Sequence, residues 1–212
     1  MTLEERSTAV HEAGHAVMAY LLGRPFTSIS VVPDGDALGQ VSHALPGAWF
    51  RPDVEVTARV RNRIEDHVMI SLAGAEAESA WYARQPDAPP GWEEHVSDGA
   101  DHDMRAALDL ADYVCGGSVP EVEAYVEWLR HRVLNFTGRG PSFDVAEFMP
   151  EAPAFVVDHY RGGDDRFWAM VEALADAVQA AGSLSWRRAR AVMHDADPIT
   201  REAAKWLERR SA

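Results

Sequence analysis

Residues 3–22 read LEERSTAVHEAGHAVMAYLL and contain two histidines four positions apart. Apolar residues recur along this stretch at helical intervals, at Leu3, Val10, Val17, Leu21 and Leu22. Gly23 and Pro25 follow directly, and both residue types are typical of a helix end. We therefore predict that the chain opens with a helix over residues 3–22, which carries His11-Glu-Ala-Gly-His15.

The spacing of His11 and His15 is that of a zinc-binding helix. Residues four apart lie on one helix face, about 6 Å from each other, so both imidazoles can bind one zinc ion. Glu12 lies one residue further round, where its carboxylate can activate a water and later protonate the leaving amine. The alternative is a pair of solvated histidines, and a chance match is expected in about 3% of such sequences. Because the motif lies on a predicted helix, as its mechanism requires, the zinc site is favoured over two solvated histidines.

A catalytic zinc usually takes three protein ligands, so the third must come from elsewhere in the chain. Side chains on two later predicted helices are candidates: Glu76, Glu78, Asp101, His102 and Asp103. Spacing alone does not choose among them. Glu78 is also a candidate partner that orients a histidine, and His102 is a candidate for stabilising the transition state.

Composition excludes several other functions. The 212 residues suit one domain, 1–212, and the formal net charge of −14 disfavours nucleic acid and membrane partners. Lys205 is the only lysine, so the chain lacks the lysine that a P-loop places on the phosphates of ATP. Cys115 is the only cysteine, which excludes an intrachain disulfide. With no leader and no long apolar run, we expect a cytoplasmic protein.

The rest of the chain predicts a mainly α fold with one small β-hairpin. Two β-type runs, 28–33 and 38–43, flank the turn signal Asp34-Gly35. Helices are predicted over 52–82, 98–116, 120–134, 165–181 and 185–193. Residues 135–163 are predicted to form an irregular insertion because they are rich in glycine and proline. Residues 195–212 are predicted to form a C-terminal helical tail.

Several segments, taken in order, resemble the peptidase domain of the FtsH family, the ATP-dependent zinc metalloproteases. The matching segments are 11–16 (HEAGHA), 28–33 (SISVVP) with 37–39 (ALG), 70–78 (ISLAGAEAE) and 99–103 (GADHD) with Ala106, Ala107 and Ala111. The pattern over 174–193 is similar to the closing pair of helices in the family. The resemblance covers residues 5–115 well and 165–194 loosely, and it implies an FtsH-like zincin fold.

The resemblance implies particular roles for individual residues. It makes Asp103 the third zinc ligand beside His11 and His15. It also implies that the strand formed by Ile29, Ser30, Val31 and Val32 offers an edge to an extended peptide, in agreement with the general mode of strand addition. Binding of this kind does not read side chains, so the cleft is expected to tolerate many sequences.

We therefore predict a zinc-dependent endopeptidase that cuts peptides or unfolded segments without ATP, with Glu12 as general base. The membrane helices and ATPase module of the family are absent from this sequence, so a separate unfoldase partner or a homo-oligomer stays open. Two other functions also stay open. One is a regulatory protease that cuts a single cognate partner, with residues 135–163 gating the cleft. The other is a non-catalytic interaction module stabilised by zinc.

Overall fold

Helices form most of this computed structural model, which describes residues 2–35, 37–44, 47–137 and 163–200. The helices are α1 (Leu3–Leu21), α2 (Ala58–Tyr82), α3 (Trp92–Gly99), α4 (Asp101–Cys115), α5 (Val119–Phe136), α6 (Gly163–Ala181) and α7 (Trp186–Ala196). The strands are β1 (Phe26–Ser30), β2 (Gln40–His43) and β3 (Ser183–Ser185). The predicted fold class, mainly α with a small sheet, is confirmed.

Helix α1 lies at the centre of the domain. Its first turn is closed by a capping box, in which the Glu5 amide donates to the Thr2 hydroxyl at 3.1 Å and the Thr2 amide donates to the Glu5 carboxylate at 2.8 Å. Every residue from Glu12 to Ala19 is buried, so α1 is covered on all sides, chiefly by α2 and α6. A central, enclosed helix is a rigid platform for the side chains that it carries.

Small residues let α1 and α2 approach closely. A methyl group added at Gly14 of α1 would lie 2.6 Å from the carbonyl oxygen of Ala73 and 2.7 Å from the Cβ of Ala77, both on α2. Neither distance is compatible with a side chain. The backbone of α2 therefore lies directly against the face of α1 that carries the two histidines.

The three strands form an antiparallel sheet in the order β2-β1-β3. Ile29 of β1 is opposite Val41 of β2 on one side and Leu184 of β3 on the other. The expected exposed edge is therefore wrong for Ile29 and Ser30, which pair with β3, and for Val31, whose amide donates to the carbonyl of Gly182 at 2.9 Å. Val32 lies beyond these contacts, is exposed, and donates its amide to the Ser30 hydroxyl. In the described part of the chain, β2 and β3 are the outer strands.

Two differences from the predicted helices affect the site. Helix α2 begins at Ala58, where the Thr57 side chain caps it, and not at residue 52. The segment around residues 92–116 forms two helices, because α3 ends at Gly99 before α4 begins at Asp101. The predicted insertion over 135–163 lies outside the described residues from 138 to 162, and the tail over 195–212 does so from 201 onward.

The C-terminal helices complete the core around α1. Arg6 of α1 forms an ion pair with Asp176 of α6 at 2.6 Å. Asp197, which follows α7, is buried and accepts two hydrogen bonds from the Arg166 guanidinium, at 3.0 and 2.9 Å. In the ranges that the structure describes, we find no helix whose length and apolar character would suit a membrane span.

Candidate metal centre

His11 and His15 lie on adjacent turns of α1 and face the same point. Their ring centroids are 4.7 Å apart, with the rings nearly perpendicular. The Nε2 atom of each lies 3.1 Å from Oδ2 of Asp103, which reaches in from the first turn of α4. One ligand atom from each residue falls within 4.8 Å of the other two. The structure thus brings together the three residues expected to bind the metal.

The other nitrogen of each imidazole is held by α2. Nδ1 of His11 lies 2.9 Å from Oε2 of Glu78, and Nδ1 of His15 lies 2.6 Å from the carbonyl oxygen of Ile70. An acceptor at Nδ1 keeps a proton on that nitrogen, so Nε2 is the nitrogen that can bind a metal once its own proton is lost. The predicted role of Glu78 as the partner of a histidine matches this contact.

Gly74 of α2 makes room for the two rings. A methyl group at this position would lie 2.3 Å from Nε2 of His15 and 2.7 Å from Nε2 of His11. Side chains do not tolerate such contacts, so position 74 accepts only glycine while both rings keep their positions. The sequence analysis included this residue in the segment 70–78 but did not assign it to the site.

The electrostatics of the cluster are those of a cation site. Burial opposes a charge on His11, but its hydrogen bonds to Asp103 and Glu78 outweigh burial and raise its pKa to about 10. Burial likewise disfavours the charged Asp103, yet the neighbouring His15 and His11 outweigh it and lower the pKa of that carboxyl. A proton on the imidazoles here occupies the place that a bound cation would take.

The donor set fits zinc. Two imidazole nitrogens and one carboxylate oxygen are ligands that zinc prefers, and three protein ligands leave a fourth position open in catalytic sites. Both imidazoles also have the outer hydrogen-bond partners that metal-binding histidines usually have. These three residues, from α1 and α4, could therefore hold a zinc ion without any rearrangement of the helices.

Glu12 lies beside the cluster and is not part of it. Its side chain is buried, and burial raises the pKa of its carboxyl above the ordinary value. Gly39, just before β2, lies against it, because a methyl group there would be 2.7 Å from Cγ and 2.9 Å from Oε1 of Glu12. A carboxylate with a raised pKa at an open metal position is suited to accept and return a proton.

The cluster opens into a cavity of about 650 Å³ that has two different walls. Gly39, Gln40 and Val41 form what we call the β2 wall. His95, Asp98 and His102 form what we call the α3–α4 wall. The cluster and Glu12 lie at the bottom of the cavity, more deeply buried than His95, Asp98 and His102, so a molecule that enters the cavity can reach the candidate ligand atoms.

The predicted site residues fall into three groups. His11, Glu12, His15, Glu78 and Asp103 meet at one point, and His102 lines the cavity as an exposed side chain. Ile29, Ser30, Val31 and Val32 do not line the cavity, because β2 lies between them and it.

Gly39 and Asp98 lie in segments that the sequence singled out, but sequence patterns assigned neither of them, nor the rest of the β2 wall, nor His95, to the site. The hairpin pattern predicted β2 itself, but its position at the cavity depends on β3 covering β1. Nothing in the sequence indicated that His95 and Asp98 lie on a separate helix.

Two helix-borne imidazoles and a carboxylate that meet beside a buried glutamate define, in a mainly helical domain, the zinc metallopeptidase class. The chain belongs to peptidase family M41, whose family model matches residues 1–115. The resemblance to the FtsH family is thereby confirmed.

Individual relatives agree with this assignment. The chain is 31% identical over 161 residues to the ATP-dependent zinc metalloprotease FtsH of Syntrophotalea carbinolica, a match that covers 73% of the chain and 21% of that protein. It is 30% identical over 110 residues to FtsH of Haemophilus influenzae, covering 51% of the chain and 15% of the relative. It is 29% identical over 159 residues to FtsH 2 of Methylacidiphilum infernorum, a match that covers 74% of the chain and 22% of that protein. The chain thus spans less than a quarter of the length of these relatives.

Proposed function

We propose that this chain is a zinc-dependent endopeptidase. The observation that carries the proposal is the meeting of His11, His15 and Asp103 at the bottom of an open cavity, with the buried Glu12 beside them. A site that serves only structure usually closes all four positions of its zinc and has no use for a buried carboxylate beside them. The position of Glu12 therefore favours an enzyme over a non-catalytic module.

A zinc ion held by His11, His15 and Asp103 would supply Lewis-acid chemistry to the proposed reaction, through a water of lowered pKa and a polarised peptide carbonyl. Glu12 accepts the proton of the attacking water and then delivers it to the leaving amine. Glu78 and the Ile70 carbonyl keep the two imidazoles in the orientation that binds metal. His102, on the α3–α4 wall, is the candidate donor to the oxygen that becomes negative in the transition state.

The substrate backbone, in our proposal, lies along β2. Among the described residues this strand pairs with β1 alone, and Gly39, Gln40 and Val41 line the cavity next to Glu12. An outer strand offers unpaired amides and carbonyls to an extended peptide. In this proposal β2, and not residues 29–32, provides the strand edge that binds the extended peptide.

Peptides and flexible or unfolded segments are the proposed substrates, because an extended backbone is required along β2. The relatives are named as ATP-dependent, whereas no lysine before Lys205 could serve a P-loop here. Cleavage by this chain is therefore proposed to proceed without ATP. Action on folded proteins would call for a separate unfoldase, and we propose no partner for it.

Glu12→Gln tests the proposal. The variant keeps the shape and burial of the side chain but removes the base, so cleavage of unfolded casein and of a quenched peptide library should fall by about 100-fold or more. Zinc content, measured by elemental analysis, should stay equal to that of the unaltered protein. Glu123→Gln, an exposed substitution on α5, is the matched control. If Glu12→Gln cleaved these substrates at the unaltered rate, Glu12 would not be the base.

A further inference from the structure

The α3–α4 wall of the cavity differs in chemistry from the β2 wall. On the β2 wall the cavity meets Gly39, the uncharged amide of Gln40 and the apolar Val41, with Leu38 just before them. On the other side it meets the polar groups of His95, Asp98 and His102, all of them exposed. The two walls will therefore contact different parts of a peptide that lies between them.

Carboxylates dominate the charge of this cavity. Glu12, Glu78, Asp98 and Asp103 line it, and the described residues of its lining include no arginine and no lysine. A divalent cation held by His11, His15 and Asp103 would offset two of these four negative charges. With metal bound, the cavity thus still has a negative potential, which the net charge of −14 on the chain reinforces.

Asp98 is the carboxylate of this set that is available to a ligand. Glu78 is hydrogen-bonded to His11, Asp103 contacts both metal-binding histidines, and Glu12 is buried. Asp98 is exposed, and within the described ranges its carboxylate has no ion pair. It belongs to residues 92–103, which contain five acids and neither lysine nor arginine. A cation that approaches this wall meets no competing positive side chain.

We propose that the cleft selects peptides with an arginine or lysine side chain facing the α3–α4 wall, and that Asp98 is the residue that determines this specificity. The inference rests on the proposed peptidase function and on the course of the substrate along β2. In an extended peptide alternate side chains point to the same side, so the residue of that set which is level with Asp98 can contact its carboxylate. In this proposal the β2 wall binds the peptide backbone, and the α3–α4 wall selects for a positively charged side chain.

The test compares quenched peptides of one sequence that carry arginine, glutamine or glutamate at successive positions on either side of the scissile bond. At low salt we expect kcat/KM for the best arginine peptide to exceed that of its glutamate counterpart by about tenfold. Asp98→Asn should reduce this ratio by about threefold, as expected for one exposed ion pair, and Asp98→Arg should invert the preference. Asp109→Asn, an exposed acid of α4 outside the cavity, is the matched control and should leave the ratio unchanged.

Salt provides a second check, because about 0.5 M NaCl shortens the screening length to a few ångströms and should remove most of the preference. Binding is measured in parallel, by fluorescence anisotropy of the same peptides on zinc-loaded Glu12→Gln protein. Equal affinities for arginine and glutamate peptides would overturn the proposal whether or not the protein turns over. A preference that persists unchanged in Asp98→Asn and Asp98→Arg would overturn the role of Asp98, while zinc-dependent cleavage would leave the peptidase function standing.

Discussion

Helices α1 and α3 both contribute to the cavity, but they are held in very different ways. α1 is buried on every side from Glu12 to Ala19, and α2 lies so close that Gly14 and Gly74 have no room for a side chain. α3 has eight residues, and Val96 is the only one that it buries. The two proposed histidine ligands are thus placed by dense packing, whereas His95 and Asp98 of the α3–α4 wall lie on a helix held by few buried contacts. Substitutions should therefore be severe on α1 and α2 and mild on α3.

The strongest test of this contrast is Gly74→Ala. Its methyl group would lie 2.3 Å from Nε2 of His15, so at least one imidazole must move, although alanine is the better helix former. We expect peptidase activity to fall by about 100-fold or more and zinc to be lost on dialysis. Gly99→Ala, where a methyl group meets nothing within 4 Å, is the control and should retain zinc. Full zinc occupancy in Gly74→Ala would contradict the packing described here.

The pH dependence of zinc affinity tests the same buried cluster and leaves the contact between Gly74 and the two imidazoles unchanged. In the metal-free protein the pKa of His11 is raised to about 10, so a proton occupies this imidazole throughout the neutral range. Zinc has to displace that proton, and its affinity should therefore rise with pH by about tenfold per unit for each proton released. Competition with a chelator at pH 6, 7 and 8 measures the slope.

The Glu78→Gln variant provides a comparison for the pH dependence of zinc affinity. One of the hydrogen bonds that raise the pKa of His11 comes from Glu78, so its removal should make zinc binding less dependent on pH. A zinc affinity that is the same at all three pH values in the unaltered protein would show that no proton competes with the metal.

Val96→Ala should give the smallest effect and tests the α3 side of the comparison. Removing part of the single buried side chain of α3 should cost roughly 1–2 kcal/mol, and this loss should stay local because few other contacts hold the helix. Hydrogen exchange of the α3 amides should become faster, with zinc content unchanged. Val119→Ala, at an exposed position of α5, should alter neither quantity. Loss of zinc in Val96→Ala would mean that α3 and the metal centre form one cooperative unit.

The sequence predicted helix α1 well, because His11, Glu12 and His15 lie within one strongly periodic segment. Asp103 could be selected only through the resemblance, since no local pattern shows which acid approaches α1 from a distant helix. α3 was missed because it has only eight residues and because Asp98 and Gly99, near its end, were interpreted as the start of the next helix. The edge was assigned to the wrong strand because β3 has three residues, too few for an alternating pattern, and pairs with a strand about 150 residues earlier in the chain.

Strand β3 has a consequence for how this chain tolerates shortening. All three proposed ligands and Glu12 occur by residue 103, yet β3 and α6 lie beyond residue 162 and cover β1 and α1. A fragment that stops after α5 would retain the complete chemistry but leave a bare β-ribbon and an uncovered apolar helix. Exposed strand edges recruit further strands from other molecules, so such a fragment should self-associate into insoluble material in place of forming a smaller peptidase.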